Sequence, residues 1–486
     1  MSKIYRRFLF WGFLLLFLIA APTAILYSYG YRFDRYRGIF VHSGSVTVKS
    51  TPTQVDIFLN GKIQKKKNLN IINNSLTING LRPGTYSLRL SADGRWDWEK
   101  TIAVHSGIST EFWNVFLAQK NPKVEKLETG RVERYFLSPF GKKVVFTQVT
   151  DNQFELWTVD IEEGKPAQIF SGDDLIFPED DLENIEWNFE EELIIVPLIK
   201  DGRKDYLILE IDNPDGAFFA SEILPSKKLN RARWSPKEKE VFYLLAEQES
   251  GNRNELYKVD LRSRLAKVIL DDVVTYDLSS NSIYILRGNK IIYETDLNGE
   301  GNIQTVFSPL TLSEIDTNSR LIVYDADRQA LITQDGELFI HNRGKEDTIK
   351  KLSDNVNSVQ FSDDGKKLLF WNDYEISVVF LREWKVQPQR EENEVQQIIR
   401  LSSPIENALW YEDYEHIFFA TQGIIKLIEL DPRDGRLCFD VYRTNLDHFR
   451  GSYDLLNGVY YFIDEVNGQR NLFYLKIPEE KGFFGR

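Results

Sequence analysis

The sequence predicts an all-β protein in which a small antiparallel β-sandwich precedes a seven- or eight-bladed β-propeller, with one N-terminal transmembrane helix. An uncharged apolar run begins at Phe8. Short strands of alternating polar and apolar residues, separated by turn signals, begin at Gly44, and one strand motif recurs along the rest of the chain. At 486 residues, the chain is long enough for about three domains, or for one repeat array with a smaller module.

The composition argues against several function classes. The formal net charge is −13, the opposite of the clustered positive potential that a nucleic-acid surface needs. Cys438 is the only cysteine, so the chain has no internal disulfide, cysteine zinc cluster or CxxC pair. No GxSxG, HExxH, P-loop or GxGxxG motif occurs. We therefore predict no enzymatic activity, no cofactor, no metal site and no nucleic-acid partner.

Residues 1–37 are predicted to contain a cytoplasmic tail, a signal-anchor helix at about 8–31 and a juxtamembrane segment. A helix of ~20 apolar residues crosses ~30 Å of hydrocarbon, and this run is long enough. A cleaved signal peptide is the alternative, but Pro22 lies at or beside each candidate cleavage site, which disfavours cleavage. The flanks carry the basic and aromatic residues typical of membrane interfaces, namely Lys3, Arg6, Arg7, Tyr27, Tyr29, Tyr31, Arg32, Arg35 and Arg37.

The predicted location is the cell membrane, in a single-pass topology. Long C-terminal domains are translocated largely regardless of flanking charge. We therefore expect everything after Tyr31 to be extracytoplasmic, with the lipid bilayer as partner of the helix.

Residues 38–120 are predicted to form the sandwich. Short runs alternate polar and apolar residues, as in Val55–Leu59 and Tyr86–Leu90, and turn signals such as Asn60-Gly61 and Asp93-Gly94 separate them.

This segment resembles the PEGA domain, a small extracytoplasmic β-module of bacterial and archaeal envelope proteins. The family's Pro-Glu-Gly-Ala core reads Pro52-Thr53-Gln54-Val55 here, and Arg95 replaces an aromatic residue. The resemblance implies a non-catalytic, envelope-associated module. The matching elements are Gly44–Val48, Ser50–Pro52, Val55–Lys62, Gly80–Tyr86, and Gly94 with Trp98–Lys100.

Trp96 and Trp98 are the candidate ligand-binding residues. Their i, i+2 spacing puts both rings on one face of a strand, where flat aromatic surfaces stack on a sugar or dock a partner. The alternative is that one or both fill the core of the sandwich, because large aromatic side chains are usually highly buried.

Residues 121–486 are predicted to form the propeller. An apolar–aromatic strand, often ending in an acidic residue, recurs from Glu155–Asp160 to Asn471–Leu475, at the ~40–45 residue spacing of propeller blades. The least regular units lie near Ile283 and Val378, so seven blades are the alternative to eight. A second phrase, such as Leu137–Phe146, resembles the Trp-Ser-Pro-Asp-Gly phrase of TolB-like and WD-repeat-like propellers. That resemblance concerns the fold and not the activity.

The ends of the repeat array indicate how the ring closes. The last unit lacks an outermost strand, while an unattached strand precedes the first unit at residues 122–129. Pairing this strand with the last blade would remove two unpaired sheet edges.

These features predict a non-catalytic binding or scaffold protein of the cell envelope that recognises an envelope protein, peptide or glycan. The propeller or the sandwich would carry the binding surface. The alternative is a propeller hydrolase or lyase with carboxylates at the central channel. Paired carboxylates beside a deep pocket would favour that enzyme, whereas a charged or aromatic rim would favour binding.

Overall fold

The computed structural model describes residues 3–35, 38–65, 75–127, 129–151, 153–178, 184–225, 227–247, 253–301, 303–307 and 315–477. The described part is mostly β-structure, with one long N-terminal helix. Glu128 of the predicted closing strand and residues 478–486 of the predicted propeller domain lie outside the described residues.

The helix α1 (Lys3–Ser28) is long and apolar enough to cross a membrane. Its apolar part, Tyr5–Ser28, has a mean hydropathy of 2.3 and is 0% buried by the rest of the chain. A signal sequence shares these properties. The helix ends three residues before the predicted limit at Tyr31, because Gly30 has a φ of +86° and Tyr31 begins a strand.

A hairpin and a two-sheet module follow the helix. The hairpin consists of β1 (Tyr31–Asp34) and β2 (Ile39–His42). The N-terminal module contains β3 (Gly44–Thr51), β4 (Asp56–Leu59), β5 (Lys62–Lys65), β6 (Ser75–Leu81), β7 (Gly84–Ser91), β8 (Trp98–Val104) and β9 (Ser109–Phe116). Its sheets have the orders β6-β3-β9 and β5-β4-β7-β8. Inward-facing residues of both sheets form one core, including Val46, Ile57, Leu90 and Phe112.

The prediction that this module is purely antiparallel is wrong at one pair of strands. β3 and β9 run parallel, with Val48 opposite Phe112. These are the first and last strands of the module, and the chain crosses the other sheet between them. Such a long connection permits parallel pairing, whereas a tight hairpin does not.

Four antiparallel sheets follow β10 (Val124–Leu127) along the chain. In the second sheet β15 and β16 both pair with β17, and a short 3₁₀ turn, Ala220–Glu222, follows β19. The strands of the first two sheets are β11 (Arg134–Leu137), β12 (Lys143–Thr150), β13 (Gln153–Asp160), β14 (Pro166–Asp173), β15 (Leu175–Ile176), β16 (Glu186–Trp187), β17 (Leu193–Lys200), β18 (Arg203–Glu210) and β19 (Asn213–Phe219). Those of the next two are β20 (Leu229–Trp234), β21 (Val241–Glu247), β22 (Asn254–Asp260), β23 (Leu265–Leu270), β24 (Val273–Leu278), β25 (Ser282–Arg287), β26 (Ile292–Asp296) and β27 (Gln304–Phe307).

Four further sheets complete the described chain. The first three contain β28 (Arg320–Asp325), β29 (Arg328–Ile332), β30 (Leu338–Arg343), β31 (Asp347–Ser353), β32 (Ser358–Phe361), β33 (Lys367–Trp371), β34 (Glu375–Phe380), β35 (Glu394–Arg400), β36 (Asn407–Trp410), β37 (His416–Thr421), β38 (Ile424–Glu429) and β39 (Cys438–Arg443). The last has the order β10-β42-β41-β40, with β40 (Gly451–Asp454), β41 (Val459–Val466) and β42 (Gln469–Lys476).

Among the described residues, these sheets form a closed ring. β10 pairs antiparallel with β42, so that Leu127 lies opposite Leu472. Each pair of consecutive sheets shares an apolar core, for example Leu156 of the first with Leu207 of the second. The last and first sheets also share an apolar core, which contains Tyr461 and Phe146. Four-stranded sheets arranged radially in this way constitute a β-propeller.

Candidate functional site

The first strands of the sheets line the centre of the ring. Hydrogen bonds link these strands between neighbouring sheets: Arg231 Nη1 donates to Thr275 Oγ1 at 2.9 Å, and Asn407 Nδ2 donates to the Gly451 carbonyl at 2.7 Å. The wall of the central channel is therefore built from polar side chains on otherwise apolar strands.

Three charged residues on this wall form one network. Arg233 on β20 lies between Glu186 on β16 and Asp277 on β24, and it forms ion pairs with both. Its Nη1 lies 2.6 Å from Asp277 Oδ1. The second oxygen of Asp277 accepts a hydrogen bond of 2.8 Å from the Val323 N–H. Val323 lies on β28, the first strand of the following sheet.

Burial and charge act in opposite directions on this network. Burial raises the pKa of Glu186, and Arg233 counteracts part of that rise. Burial acts to lower the pKa of Arg233, but Glu186 and Asp277 outweigh it and the pKa is raised. These two channel carboxylates thus hold an arginine in place and join three sheets.

An open cavity of about 750 Å³ lies at one mouth of the channel. It is bordered by first strands β11, β36 and β40, by the connections before β11, β16 and β40, and by Ile463 and Arg470 of the last sheet. The prominent polar and aromatic residues of its lining are Glu133, Arg134, Tyr135, Asn407, His448, Phe449, Arg450, Tyr453 and Arg470.

The rim of this cavity is basic and aromatic. Arg134, Arg450, Arg470 and His448 line it, whereas Glu133 is the only acidic residue among the described lining residues. His448 Nδ1 lies 2.6 Å from Glu406 Oε1. Its hydrogen bond to Glu406 raises the pKa of this exposed imidazole, which favours its charged form.

A second open cavity, of about 690 Å³, adjoins the first and shares Glu133 and Arg134 with it. It extends outward between the first and second sheets. The Arg134 guanidinium lies over the Phe177 ring, 5.2 Å from its centroid, and Ile176 beside it is exposed. The channel mouth therefore continues as a groove with apolar and charged walls, in which Glu133, Asp174 and Asp201 accompany Arg134.

The N-terminal module is bound to the opposite face of the propeller. Connections between the first and second strands, and between the third and fourth, emerge on one face of a four-stranded antiparallel sheet. The module contacts these turns: Lys100 Nζ donates to the carbonyls of Asp431 and Arg433 at 3.0 and 2.8 Å, and Arg433 Nη2 donates to the Glu111 carbonyl at 2.8 Å. The channel mouth lies at the other ends of the strands, so the module leaves it open.

The two tryptophans predicted to bind a ligand occupy different environments. Trp98 is 1% exposed, and its indole Nε1 donates to Glu429 Oε2 of the propeller at 3.1 Å. Trp96 precedes the strand and is 43% exposed, with Lys120 Nζ 5.5 Å from its ring centroid. The structure therefore does not bring both rings to one exposed surface, and only Trp96 is accessible to a ligand.

Sequence reasoning missed Lys100 and the Arg233 network. A signal was present for Lys100, because the alternation in Trp98–Val104 places this lysine on the apolar face with Ile102. Arg231 and Arg233 likewise share a face of β20. Charged residues at buried positions of an alternating strand need a partner, but the sequence does not say which.

No protein-family model and no curated protein sequence matches the chain. The chain is similar to solved structures that include the C-terminal WD40 domain of Sif2, with 11% identity, a TM-score of 0.48, and coverage of 73% of this chain and 98% of that one. Saccharomyces cerevisiae Sqt1 has 13% identity and a TM-score of 0.44, with 74% and 99% covered.

An oligogalacturonate lyase from Vibrio parahaemolyticus is also similar, with 12% identity, a TM-score of 0.42, and 74% and 95% of the two chains covered. The similar structures thus include both an enzyme and WD40 domains. They do not determine whether this chain is catalytic, because one fold can carry many unrelated functions.

Proposed function

We propose that the protein is a single-pass, membrane-anchored binding protein of the cell envelope. Helix α1 is its anchor, and the chain that follows lies outside the cytoplasm. This assignment is supported by the length of α1, by its apolar surface and by the lack of burial of its apolar part among the described residues. An apolar surface of that size is otherwise left in water.

The chain outside the membrane has two parts in this proposal. Residues 38–120 are a PEGA-like stalk, and residues 121–486 are an eight-bladed propeller whose closing strand lies within 122–129. The stalk binds one face of the propeller through Lys100 and Arg433. The propeller thereby presents its other face to partners.

The channel mouth binds an acidic segment of an envelope protein or peptide. The observation that carries this proposal is its lining: three arginines and a histidine surround an open cavity together with Tyr135, Phe449 and Tyr453. Basic side chains attract carboxylates, and aromatic rings supply apolar contact area.

A hydrolase or lyase is the weaker candidate. It requires carboxylates that are available to a substrate beside a deep pocket. Glu186 and Asp277 are instead both bound to Arg233, and the open mouth carries one lining carboxylate, Glu133, among the described residues.

A capture experiment tests the proposed site. The full-length protein in nanodiscs is incubated with solubilised envelope material, and bound proteins and glycans are identified by mass spectrometry. We expect Arg450→Glu/Arg470→Glu to lose the captured protein. The matched charge reversal Arg262→Glu/Lys267→Glu changes exposed residues elsewhere on the propeller and should retain it. Equal capture by both variants, or capture of glycan alone, would contradict the proposal.

The topology has its own test. In a Cys438→Ser background, Leu265→Cys places a thiol at an exposed position on β23. A membrane-impermeant maleimide should label this thiol in intact spheroplasts. Labelling only after lysis would place the propeller in the cytoplasm.

A further inference from the structure

The hairpin β1–β2 forms a rigid connection between helix α1 and the N-terminal module. The helix ends at Ser28, and the Gly30 carbonyl then accepts hydrogen bonds from the Ser43 N–H at 2.8 Å and the Ser43 hydroxyl at 2.5 Å. The Arg32 side chain donates to the Tyr27 carbonyl at 3.1 Å. Hydrogen bonds at the open end of the hairpin therefore hold it next to the end of the helix.

One face of this hairpin carries a row of aromatic rings. Phe33 and Phe40 are register partners, and their ring centroids lie 5.3 Å apart. Phe40 also contacts Tyr27 of the helix, with centroids 6.5 Å apart. Both phenylalanines are 38% exposed, which is a large fraction for apolar rings on a two-stranded element.

The helix sets the level of this row relative to the bilayer. Tyr27 belongs to the last turn of the 24-residue apolar segment Tyr5–Ser28, which at ~1.5 Å per residue is ~36 Å long. Because the hydrocarbon core is ~30 Å thick, the last turn lies at its boundary. Phe40 contacts Tyr27 and Phe33 contacts Phe40, so the row begins at this boundary.

We propose that the aromatic face of β1–β2, formed by Phe33 and Phe40, lies in the headgroup region of the bilayer as a second membrane contact beside the helix. This inference rests on the membrane anchor of the proposed function. Phenylalanine rings on an interfacial element bury their apolar surface at the boundary between headgroups and acyl chains. In this placement the exposed Arg35 of the hairpin turn lies beside the lipid phosphates, with which a guanidinium pairs.

Spin labels on the full-length protein in phospholipid nanodiscs test this placement. In a Cys438→Ser background, single cysteines replace Phe33, Phe40, Leu16 of the helix, or Ile63, an exposed apolar residue of β5. Power saturation then compares collisions of each label with oxygen and with a water-soluble nickel chelate. We expect labels at 33 and 40 to show a several-fold lower nickel collision rate than the label at 63.

The label at position 16 separates the two proposals. If it is lipid-exposed while labels at 33 and 40 meet nickel as freely as the label at 63, the interfacial hairpin is refuted and the anchor stands. If the label at 16 also meets nickel freely, the anchor itself fails.

A second variant tests the rings without replacing them by the label. Arg35→Cys carries the label, and Phe33→Ser/Phe40→Ser is added to it. We expect this double substitution to raise the nickel collision rate of the label several-fold. No change would show that the rings do not hold the hairpin at the membrane.

Discussion

Lys100 of the N-terminal module and Glu429 of the propeller form a buried ion pair. The ammonium group also donates to three backbone carbonyls of the turn between β38 and β39. The other oxygen of the Glu429 carboxylate accepts the Trp98 indole N–H at 3.1 Å. The contact is thus fully hydrogen-bonded, which is the condition under which a buried ion pair is tolerated.

Removing one member of this pair should destabilise the protein strongly. Lys100→Met leaves the Glu429 carboxylate buried without its counter-charge, and we expect a loss of about 3–5 kcal/mol in the free energy of unfolding. Urea denaturation of the full-length protein measures it. As a control, Lys426→Met removes an ion pair to the exposed Asp440 and should lose less than about 1 kcal/mol. Equal losses in the free energy of unfolding would mean that the Lys100 ion pair stabilises the protein no more than the exposed Lys426 pair does.

Closure of the ring can be tested at two adjacent residues of β10. Leu127 is buried between the last and first sheets, whereas Lys126 points outward. We expect Leu127→Asn to lower the free energy of unfolding by about 3 kcal/mol, because an apolar side chain is lost and an amide is buried. Lys126→Asn should change it by less than about 0.5 kcal/mol. Similar melting temperatures for the two variants would argue against closure by β10.

His416 predicts a pH dependence of stability. Burial acts to lower its pKa, but Asp413, whose Oδ2 lies 2.8 Å from the imidazole Nδ1, outweighs burial and raises the pKa. The stabilisation is fully present below the unfolded pKa of about 6.5 and is lost as the pH rises through the higher folded pKa. The urea midpoint should therefore fall as the pH rises above about 6.5.

The variant His416→Gln should flatten this dependence. His448 also has a raised pKa, from Glu406, and acts in the same direction. Its side chain is 75% exposed, so we expect His448→Gln to flatten the dependence less than His416→Gln does. The pKa of Asp413 is lowered in the folded protein. Asp413 therefore contributes in a different pH range, because its stabilisation is lost only as the pH falls through this folded pKa, below about 3.9. An unchanged slope in His416→Gln would contradict the assignment.

The channel network makes a separate prediction about Arg233. Arg233→Met leaves Glu186 and Asp277 facing each other without a cation. Because the Arg233 side chain is 37% exposed, solvent screens part of the effect, and we expect a loss of about 1–2 kcal/mol in the free energy of unfolding. Arg262→Met removes a pair whose arginine side chain is 81% exposed and should have little effect. If Arg233→Met is as stable as Arg262→Met, the network is not structural.

Much of the local structure follows from the sequence. The recurring apolar–aromatic phrase coincides with the third strand of each sheet, from β13 through β22 to β42. The apolar run also predicts the helix, although the predicted end at Tyr31 lies three residues beyond Ser28, where the helix ends. Alternation and turn residues are local properties, and they suffice to locate strands and hairpins.

The site was less accessible to sequence reasoning. The i, i+2 spacing of Trp96 and Trp98 suggested a shared face, but Trp96 lies outside β8 and the two rings are separated. The basic residues of the channel mouth come from segments as distant as Arg134 and Arg450. Nothing in the spacing of either segment indicates that they meet.

The apolar helix, the strands and their turns can be located from the sequence, because each depends on residues within a few positions of one another. Three features arise only in the folded chain: the parallel pairing of β3 with β9, the burial of Trp98 against Glu429, 331 positions away, and the convergence of basic residues at the channel mouth. These features depend on which turns the module meets and how the ring closes, and long-range packing alone sets both.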